Sequence, residues 1–309
     1  MLAQAKERPS DVTAPGSSTG PASAVSVVMI TWNRVDNVLA SLARLTTLGE
    51  APPIVVVDNG SDDGTPPAVR ARFADVEVLT MDENLGAAGR NVGVTHCRTP
   101  YVAFSDDDSW WAPGALTRAG AVLDAHPDVA VVAARVMVEP GSRPDPVCTA
   151  MAASPLGTAL GDPGPQVLGF VACGAVVRRD AFLACGGFDR RFGVGGEEEL
   201  LALDLAAAGR RVVYVADVVA HHQPATHGRD DDRRRRTQAR NTLRVAWTRL
   251  PLTLAAHATV RTLTRGWRDR AVRAGAADML GEWRDLRRRR RPVPRPVQDL
   301  WRACEQAQG

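Results

Sequence analysis

Three consecutive carboxylates, Asp106-Asp107-Asp108, follow directly on the apolar run at residues 101–104. Held at the end of a buried strand, such charges repel one another unless a cation offsets them. The alternate residues Asp106 and Asp108 can approach one divalent ion. Hard oxygen ligands of this kind suit Mg2+ or Mn2+, and an ion so held can carry a diphosphate and neutralise charge on a departing nucleotide. The plainer use of the triplet is a capping turn ahead of Pro113.

Four other clusters carry compatible chemistry. Asp58 closes a second apolar run, where it can accept a hydrogen bond from a base N–H or organise its own turn. Asn84-Leu85-Gly86-Ala87-Ala88-Gly89-Arg90-Asn91 sets glycines where a helix begins, allowing phosphate or sugar close to the backbone with Arg90 as counter-charge. Helix packing is the other use of such glycines. Gly195-Gly196-Glu197-Glu198-Glu199 places three carboxylates at a helix N-terminus, which the helix dipole favours in any protein. One of them can instead serve as a general base toward an acceptor hydroxyl. His221 and His222 end a later apolar run, where a neutral imidazole can ligate a metal or be structural.

These clusters need elements that bring them to one place. Residues 25–30 are apolar and largely β-branched, and after Thr31-Trp32-Asn33-Arg34 apolar residues recur at helical spacing through Val38, Leu39, Leu42 and Leu45. Residues 54–57 repeat the pattern and run into Asp58-Asn59-Gly60-Ser61-Asp62-Asp63-Gly64, a turn that also offers N-cap residues to a helix over 65–73. A strand over 76–79, a Gly-containing helix over 85–97 and a strand over 101–104 follow, and three β-α steps in succession predict a parallel sheet covered by helices. In open sheets of this class ligands bind outside the carboxyl ends of the strands, where the polar clusters after residues 30, 57 and 105 all fall.

Beyond them the pattern predicts a helix over 113–125, a strand over 129–138 and a long surface loop over 140–165 that can cover the site. A strand over 167–177, a short helix over 179–185, an amphipathic helix over 197–208 and a strand over 212–215 complete the body. From residue 233 onward the chain reads as helical and basic, with Trp247, Trp267, Trp283 and Trp301 spaced through it and Pro292, Pro294 and Pro296 near its end.

With 309 residues, 45% of them apolar, the chain accommodates one large domain and an appendage. The first 22 residues, rich in Pro, Ser, Gly and Ala, carry no apolar run of signal-peptide length and read as a disordered tail. No stretch reaches the roughly 18 uninterrupted apolar residues of a membrane-spanning helix, so a soluble or peripheral protein is expected. Five cysteines far apart, without CxxC spacing, suggest neither a disulfide framework nor a zinc site, and a reducing cytoplasm fits them. The net charge of +3 conceals an asymmetry: residues 233–309 hold 20 Lys+Arg against six Asp+Glu, a balance of +14 that leaves −11 for the rest. Such a region suits an anionic partner, whether membrane lipid, nucleic acid or protein. The bland alternative is a solvated helical face in an arginine-preferring chain, Lys6 being the only lysine.

Taken in order, Thr31-Trp32-Asn33-Arg34, Asp58 through Thr65, Asn84-Leu85-Gly86 with Arg90-Asn91, Asp106-Asp107-Asp108, Gly186-Gly187-Phe188-Asp189 and Glu197-Glu198 resemble family 2 glycosyltransferases of GT-A fold. No single motif is specific, but their joint order over residues 25–224 is. The resemblance implies a GT-A α/β domain, Rossmann-like with a mostly parallel sheet, over residues 23–230, between the tail at 1–22 and an Arg-rich helical region at 231–309. It implies a nucleotide-sugar donor, UDP- or dTDP-linked, and Mg2+ or Mn2+ as cofactor. By the same resemblance Thr31, Asn33, Arg34 and Asp58 hold the base, and Asn84, Gly89, Arg90 and Asp107 complete the donor site. Asp106 reaches ribose or metal, and Asp108 is the principal metal ligand. Glu197-Glu198 resembles the family's Glu-Asp pair, whose second acid is the base, so Glu198 takes that role with Glu197 and Glu199 left open. The spacing from that pair favours His222 over His221 as a further metal ligand. Leu200 and Asp204 stand where relatives often carry another acid and a basic residue, so acceptor recognition departs from the pattern.

The chemistry implied is inverting transfer without a covalent enzyme intermediate. A nucleotidyltransferase would carry a Gly-rich loop with lysine or arginine directly after the first strand, and Thr31-Trp32-Asn33-Arg34 lacks those glycines. A nucleotide-sugar sensor or nucleic-acid-binding protein relying on the arginine-rich region would not need the full set of Asp106, Asp108 and Glu198. Nucleic acid is therefore not the expected partner, a cytoplasmic protein is expected, peripheral contact with the inner face of a membrane stands beside the solvated face as a use of the arginines, and the acceptor is not indicated.

Overall fold

The computed structural model describes residues 23–224 and 230–307, so the expected tail over 1–22 lies outside the described residues. Strand β1 (Val25–Thr31) is buried nearly throughout, because its valines and Met29 meet covering helices on both faces of the sheet. Helix α1 (Val35–Leu45) turns Val38, Leu42 and Leu45 onto one of those faces. The unit repeats through β2 (Ile54–Asp58), α2 (Thr65–Arg72), β3 (Val76–Thr80), α3 (Gly89–His96) and β4 (Tyr101–Asp106). Next come β5 (Ser109–Trp111), α4 (Ala115–Ala125), β6 (Val129–Val138), β7 (Arg143–Pro144), α5 (Pro146–Ala152) and β8 (Gln166–Val167). The elements β9 (Ala175–Arg178), α6 (Arg179–Ala184), α7 (Glu197–Ala207) and β10 (Arg211–His222) close the α/β body.

The strands lie in the order β3-β2-β1-β4-β9-β6-β10-β5, with β7 on β6 and β8 on β10. The first four are parallel, β9 runs antiparallel between β4 and β6, and β10 is parallel to β6 but antiparallel to β5. Register sets the site: Thr31 pairs with Asp58 and Ile30 with Asp106, so three polar loops leave the sheet at one level. One side of the sheet packs Val27 and Met29 against α1 and α4. The other packs Val28 and Phe104 against α3, α6 and α7.

Three expectations change in detail. The strand expected over 167–177 is broken: β8 and β9 are separated by a 3-10 turn at Ala172–Gly174, and only β9 reaches β4. The expected long loop over 140–165 contains β7 and α5, because Cys148 and Met151 are buried in the core. The last strand extends to His222 through a register shift between Val215 and Val219, which masks its two-residue period in the sequence.

Five helices follow: α8 (Asp231–Arg249), α9 (Leu252–Gly266), α10 (Arg270–Gly281), α11 (Trp283–Arg289) and α12 (Arg295–Ala307). Of these, α8, α9 and α12 share a core with α7, which is not the one-sided helix its position suggests, while α10 and α11 pack on α8. Leu201, Ala202 and Leu205 face the sheet, while Leu200 and Leu203 join Phe192, Val245, Leu250, Val297 and Trp301 in a separate core. Arg249 of α8 pairs with Asp204 of α7.

Candidate active site

The Asp106–Asp108 turn is held by the strands on either side of it. Asp106 ends β4 and donates its backbone N–H to Ser109 Oγ at 2.7 Å, so the chain reverses at once into β5. Because β5 pairs with β10, Ser109 lies opposite His222, and Gln223 N donates to the Asp108 carbonyl at 2.8 Å. This pairing sets His222 Nε2 3.3 Å from Asp108 Oδ1. His221 goes elsewhere: its Nδ1 lies 3.0 Å from Glu139 Oε1 and its ring stacks on Trp110 at 5.4 Å. Of the two histidines, the structure brings only His222 to the carboxylate turn.

Arg34 answers the crowded negative charge. Its Nη1 stands 3.0 Å from Asp107 Oδ1 and 3.3 Å from Asp108 Oδ2. Asp107 is buried, receives the Thr31 hydroxyl on Oδ2 at 3.2 Å, and accepts the Ser41 hydroxyl on its carbonyl. Burial pushes the Asp107 carboxyl up to about 7, with Arg34 opposing the rise and the flanking aspartates adding to it. Asp107 thus ties β1 and α1 to the turn. Asn33, at φ +53°, joins the first two polar loops: its N–H donates to Ser61 Oγ and its Oδ1 accepts from Asp62 N, both at 2.8 Å. Asp58 accepts from Ser61 N on Oδ2 at 2.9 Å, while its other oxygen is buried with no hydrogen-bond partner.

Arg90 is the cationic centre of the cluster. It is buried beside the rings of Phe104 and Phe188, pairs with Asp106 Oδ1, and leaves Nε and Nη1 without hydrogen-bond partners. Burial disfavours its charge, but Asp106, Glu197 and Glu198 together hold its pKa above the ordinary arginine value. Glu197 is 1% exposed, and burial together with neighbouring Glu198 pushes its carboxyl up to about 8 against the pull of Arg90. Burial also raises Glu198, opposed by Arg90 and the Ala172 backbone. Glu199 departs from the pair: it faces Trp301, Glu305 and Arg261 of the C-terminal helices, and burial and Glu305 push it up to about 7. Successive helical positions point about 100° apart, which is why adjacent glutamates serve different surroundings.

The remaining sequence candidates hold backbone. Asn84 Oδ1 accepts from Gly86 N at 2.8 Å, shaping the turn into α3. Gly86, at φ +59°, lets that turn approach Gly193, whose carbonyl accepts from Ala87 N at 2.8 Å. A Cβ at Gly89 would lie 2.8 Å from Asn59 Oδ1, so this glycine makes room for an amide that also reaches Gly86 O and Leu85 N. Two contributors escaped the sequence reading. In the sequence Asn59 has only the signature of a turn residue. Asn241, fully buried in the middle of α8, donates to Phe192 O at 2.9 Å and to Gly195 O at 2.5 Å, fixing the segment that launches α7. A mid-helix asparagine in a basic stretch carries no sequence signal of this until its burial is seen.

Among the described residues no three His, Cys, Asp or Glu side chains stand together as a metal cage. Asp108 and His222 nonetheless form an adjacent carboxylate and imidazole pair. Magnesium-type ions are commonly held by one or two carboxylates with substrate phosphates completing the shell, and Asp108 fits such a half-site with the His222 imidazole as an adjacent nitrogen donor. Asp106 is engaged by Arg90 instead.

The sequence pattern of Glycosyl transferase family 2 matches residues 26–186. The chain is 30% identical over 244 residues to an N-acetylglucosaminyl-diphospho-decaprenol L-rhamnosyltransferase of Mycobacterium tuberculosis, covering 66% of this chain and 78% of the relative. It is 34% identical over 212 residues to a pre-mycofactocin glycosyltransferase of the same species, covering 63% of this chain and 43% of the relative. In fold it is similar to a Pyrobaculum calidifontis mannosyltransferase solved with GDP-Man and Mn2+, with a TM-score of 0.59 and 22% identity over 92% of this chain and 79% of that one. It is also similar to S. aureus TarS solved with UDP, with a TM-score of 0.54 and 19% identity over 79% and 72% of the two chains. Both the motif order and these matches lead to one assignment: the chain is a GT-A-fold enzyme and belongs to glycosyltransferase family 2.

Proposed function

We propose that the protein is an inverting, metal-assisted transferase that moves a sugar from a UDP- or dTDP-linked donor to an acceptor hydroxyl, with Glu198 as general base. The observation that carries this is the charge cluster at Arg90: Asp106 from the end of β4 is ion-paired with it, and Glu197 and Glu198 from the start of α7 stabilise its charge. Donor-side and acceptor-side groups thereby share one site. In this reading Asp58 presents its unsatisfied oxygen to a base N–H, and Arg34 balances the turn beneath the diphosphate. Asp108 and His222 would hold Mg2+ or Mn2+, which supplies neutralisation of the departing diphosphate. Glu198 takes the proton from the acceptor hydroxyl as its oxygen bonds to the anomeric carbon, and the bond to phosphate breaks from the opposite face with its electron pair. Glu197, raised by burial and by its neighbour, keeps the pair from carrying two charges at neutral pH.

The name of the M. tuberculosis rhamnosyltransferase includes a polyprenyl-diphosphate acceptor, and the same class, an acceptor carried on lipid, is proposed here. It fits a peripheral enzyme on the inner face of a membrane. The test is the product anomer: incubation with an α-linked nucleotide sugar and Mn2+ should give a β-linked product by NMR, with none in EDTA. An α-linked product, or turnover unaffected by EDTA, would overturn the inverting or the metal-assisted part respectively.

A further inference from the structure

We infer that α9 is the surface by which this protein lies on an anionic membrane, an assignment that rests on the peripheral placement proposed above. Of the nine large apolar residues that stand exposed among the described residues, six fall between Leu252 and Trp283. Four of these, Leu252, Val260, Leu263 and Trp267, are exposed by 60%, 61%, 36% and 62%. With exposed Ala256 they are spaced by four, four, three and four residues, which confines them to an arc of about 80° on one side of the helix. The opposite side is spent on the protein itself, with Leu254, Ala255 and Ala258 packed in the core shared with α7, while Thr259, at the edge of the stripe, accepts the Trp247 indole N–H at 2.9 Å. Helix α9 is therefore apolar toward solvent as well as toward its core.

The charge around this stripe is predominantly positive, although Arg261 of α9 is paired with Glu305. Between residues 252 and 291 there are eleven arginines and four acids, and α9 itself contains no acid. All four acids are ion-paired: Asp269 with Arg235, Asp278 with Arg236, Glu282 with Arg244, and Asp285 with Arg191 and Arg289. Arg265 lies in the last turn of α9 and Arg268 sits over the Trp267 ring at 5.2 Å, while Arg284, Arg287 and Arg288 line one recess on α11. An apolar stripe edged by arginine, with a tryptophan at its end, matches a headgroup layer in which apolar side chains enter the acyl boundary and cations meet anionic lipid. Nucleic acid would leave the leucine and valine side chains without a partner, and a second protein chain has no need of an arginine-rich rim.

The experiment is co-sedimentation of the full-length protein with phosphatidylglycerol-containing and pure phosphatidylcholine vesicles at low salt. The comparison proteins are a paired Leu263→Ser, Trp267→Ser variant and a paired Arg265→Gln, Arg268→Gln variant. All substituted side chains are at the surface, and circular dichroism verifies the fold. Wild type should bind the anionic vesicles only. The apolar pair should weaken binding by roughly tenfold or more, and each lost arginine by about fivefold. Binding that is undiminished in both variants would overturn the α9 assignment and leave the peripheral reading standing. No binding of the wild type to anionic vesicles would overturn both. A concentration-dependent dimer in solution, dissociated by the Leu263→Ser, Trp267→Ser pair, would show a second copy on this face instead.

Discussion

Two adjacent glutamates at a helix start ordinarily signal nothing more than a favourable helix dipole, and here burial separates their roles. Glu197 is enclosed beside Glu198 and Arg90, with Oε2 lacking a hydrogen-bond partner. Its folded pKa, near 8, lies above the value of about 4.3 for an unperturbed glutamate. The folded state therefore binds more protons across that window, and Glu197 contributes stability that is full below it and lost as pH rises toward 8. Glu197→Gln should accordingly gain thermal stability relative to wild type from pH 5 to pH 8, with the gap widening upward; melting curves of both proteins across that range check it. Glu198, also raised, must be ionised to act as base, so the acid limb of kcat should lie above the ordinary glutamate range. Asp108→Asn should weaken nucleotide binding in Mn2+ while hardly changing it in EDTA, because only the ion-mediated part is lost. Calorimetry in both buffers reads the difference. Asp58, the Asp106–Asp108 triplet and His222 were legible because they stand at the ends of apolar runs, and Arg90 and Glu198 because each stands in the first turn of a helix behind glycines. Asp107 was legible only as one of three: what distinguishes it is the Thr31 hydroxyl and Arg34, brought in from another strand and loop.

At the scale of elements, β1 to β4 and the helices between them could be read directly, since each strand is short, apolar and closed by turn residues. What could not be read is where local period gives way to tertiary demand. Helix α7 is buried on two sides, so its leucines carry no single-face signal, and β10 shifts register midway. The start of α7 is also held from far along the chain. Asn241 of α8 binds Phe192 O and Gly195 O, Arg244 donates to Arg191 O at 2.5 Å, and Ala87 N reaches Gly193 O from the donor side. Asn241→Leu keeps the volume and leaves two carbonyls without that donor. We expect a stability loss of about 1–3 kcal/mol and a fall in kcat with donor affinity nearly unchanged, read by denaturation and by steady-state kinetics. An equal loss of donor affinity would mean that the segment serves the nucleotide instead.

For the molecule as a whole, the charge asymmetry was visible from the sequence but its structural meaning was not. The arginines of residues 231–309 are partly docking contacts, as with Arg249 on Asp204 and Arg244 on the Arg191 carbonyl, and partly a surface excess. Every donor motif lies upstream of residue 231, which suggests a region that can be removed without touching donor binding. The shared core of Phe192, Leu200 and Leu203 with Val245, Leu250 and Trp301 argues otherwise. Deleting residues 231–309 should expose those side chains and give a protein with a markedly lower melting temperature and little turnover. The central claim, that one cluster built around Arg90 performs sugar transfer with Glu198 as its base, is tested most directly by diphosphate release. Wild type and Glu198→Gln would be assayed side by side with UDP-, dTDP- and GDP-sugars, Mn2+ and a polyprenyl-diphosphate-linked acceptor. Wild type should release the nucleoside diphosphate from one donor class, and only with acceptor present. In Glu198→Gln kcat should fall by roughly 10² to 10⁴ with donor KM nearly unchanged. Transfer by Glu198→Gln at the wild-type rate would contradict the claim.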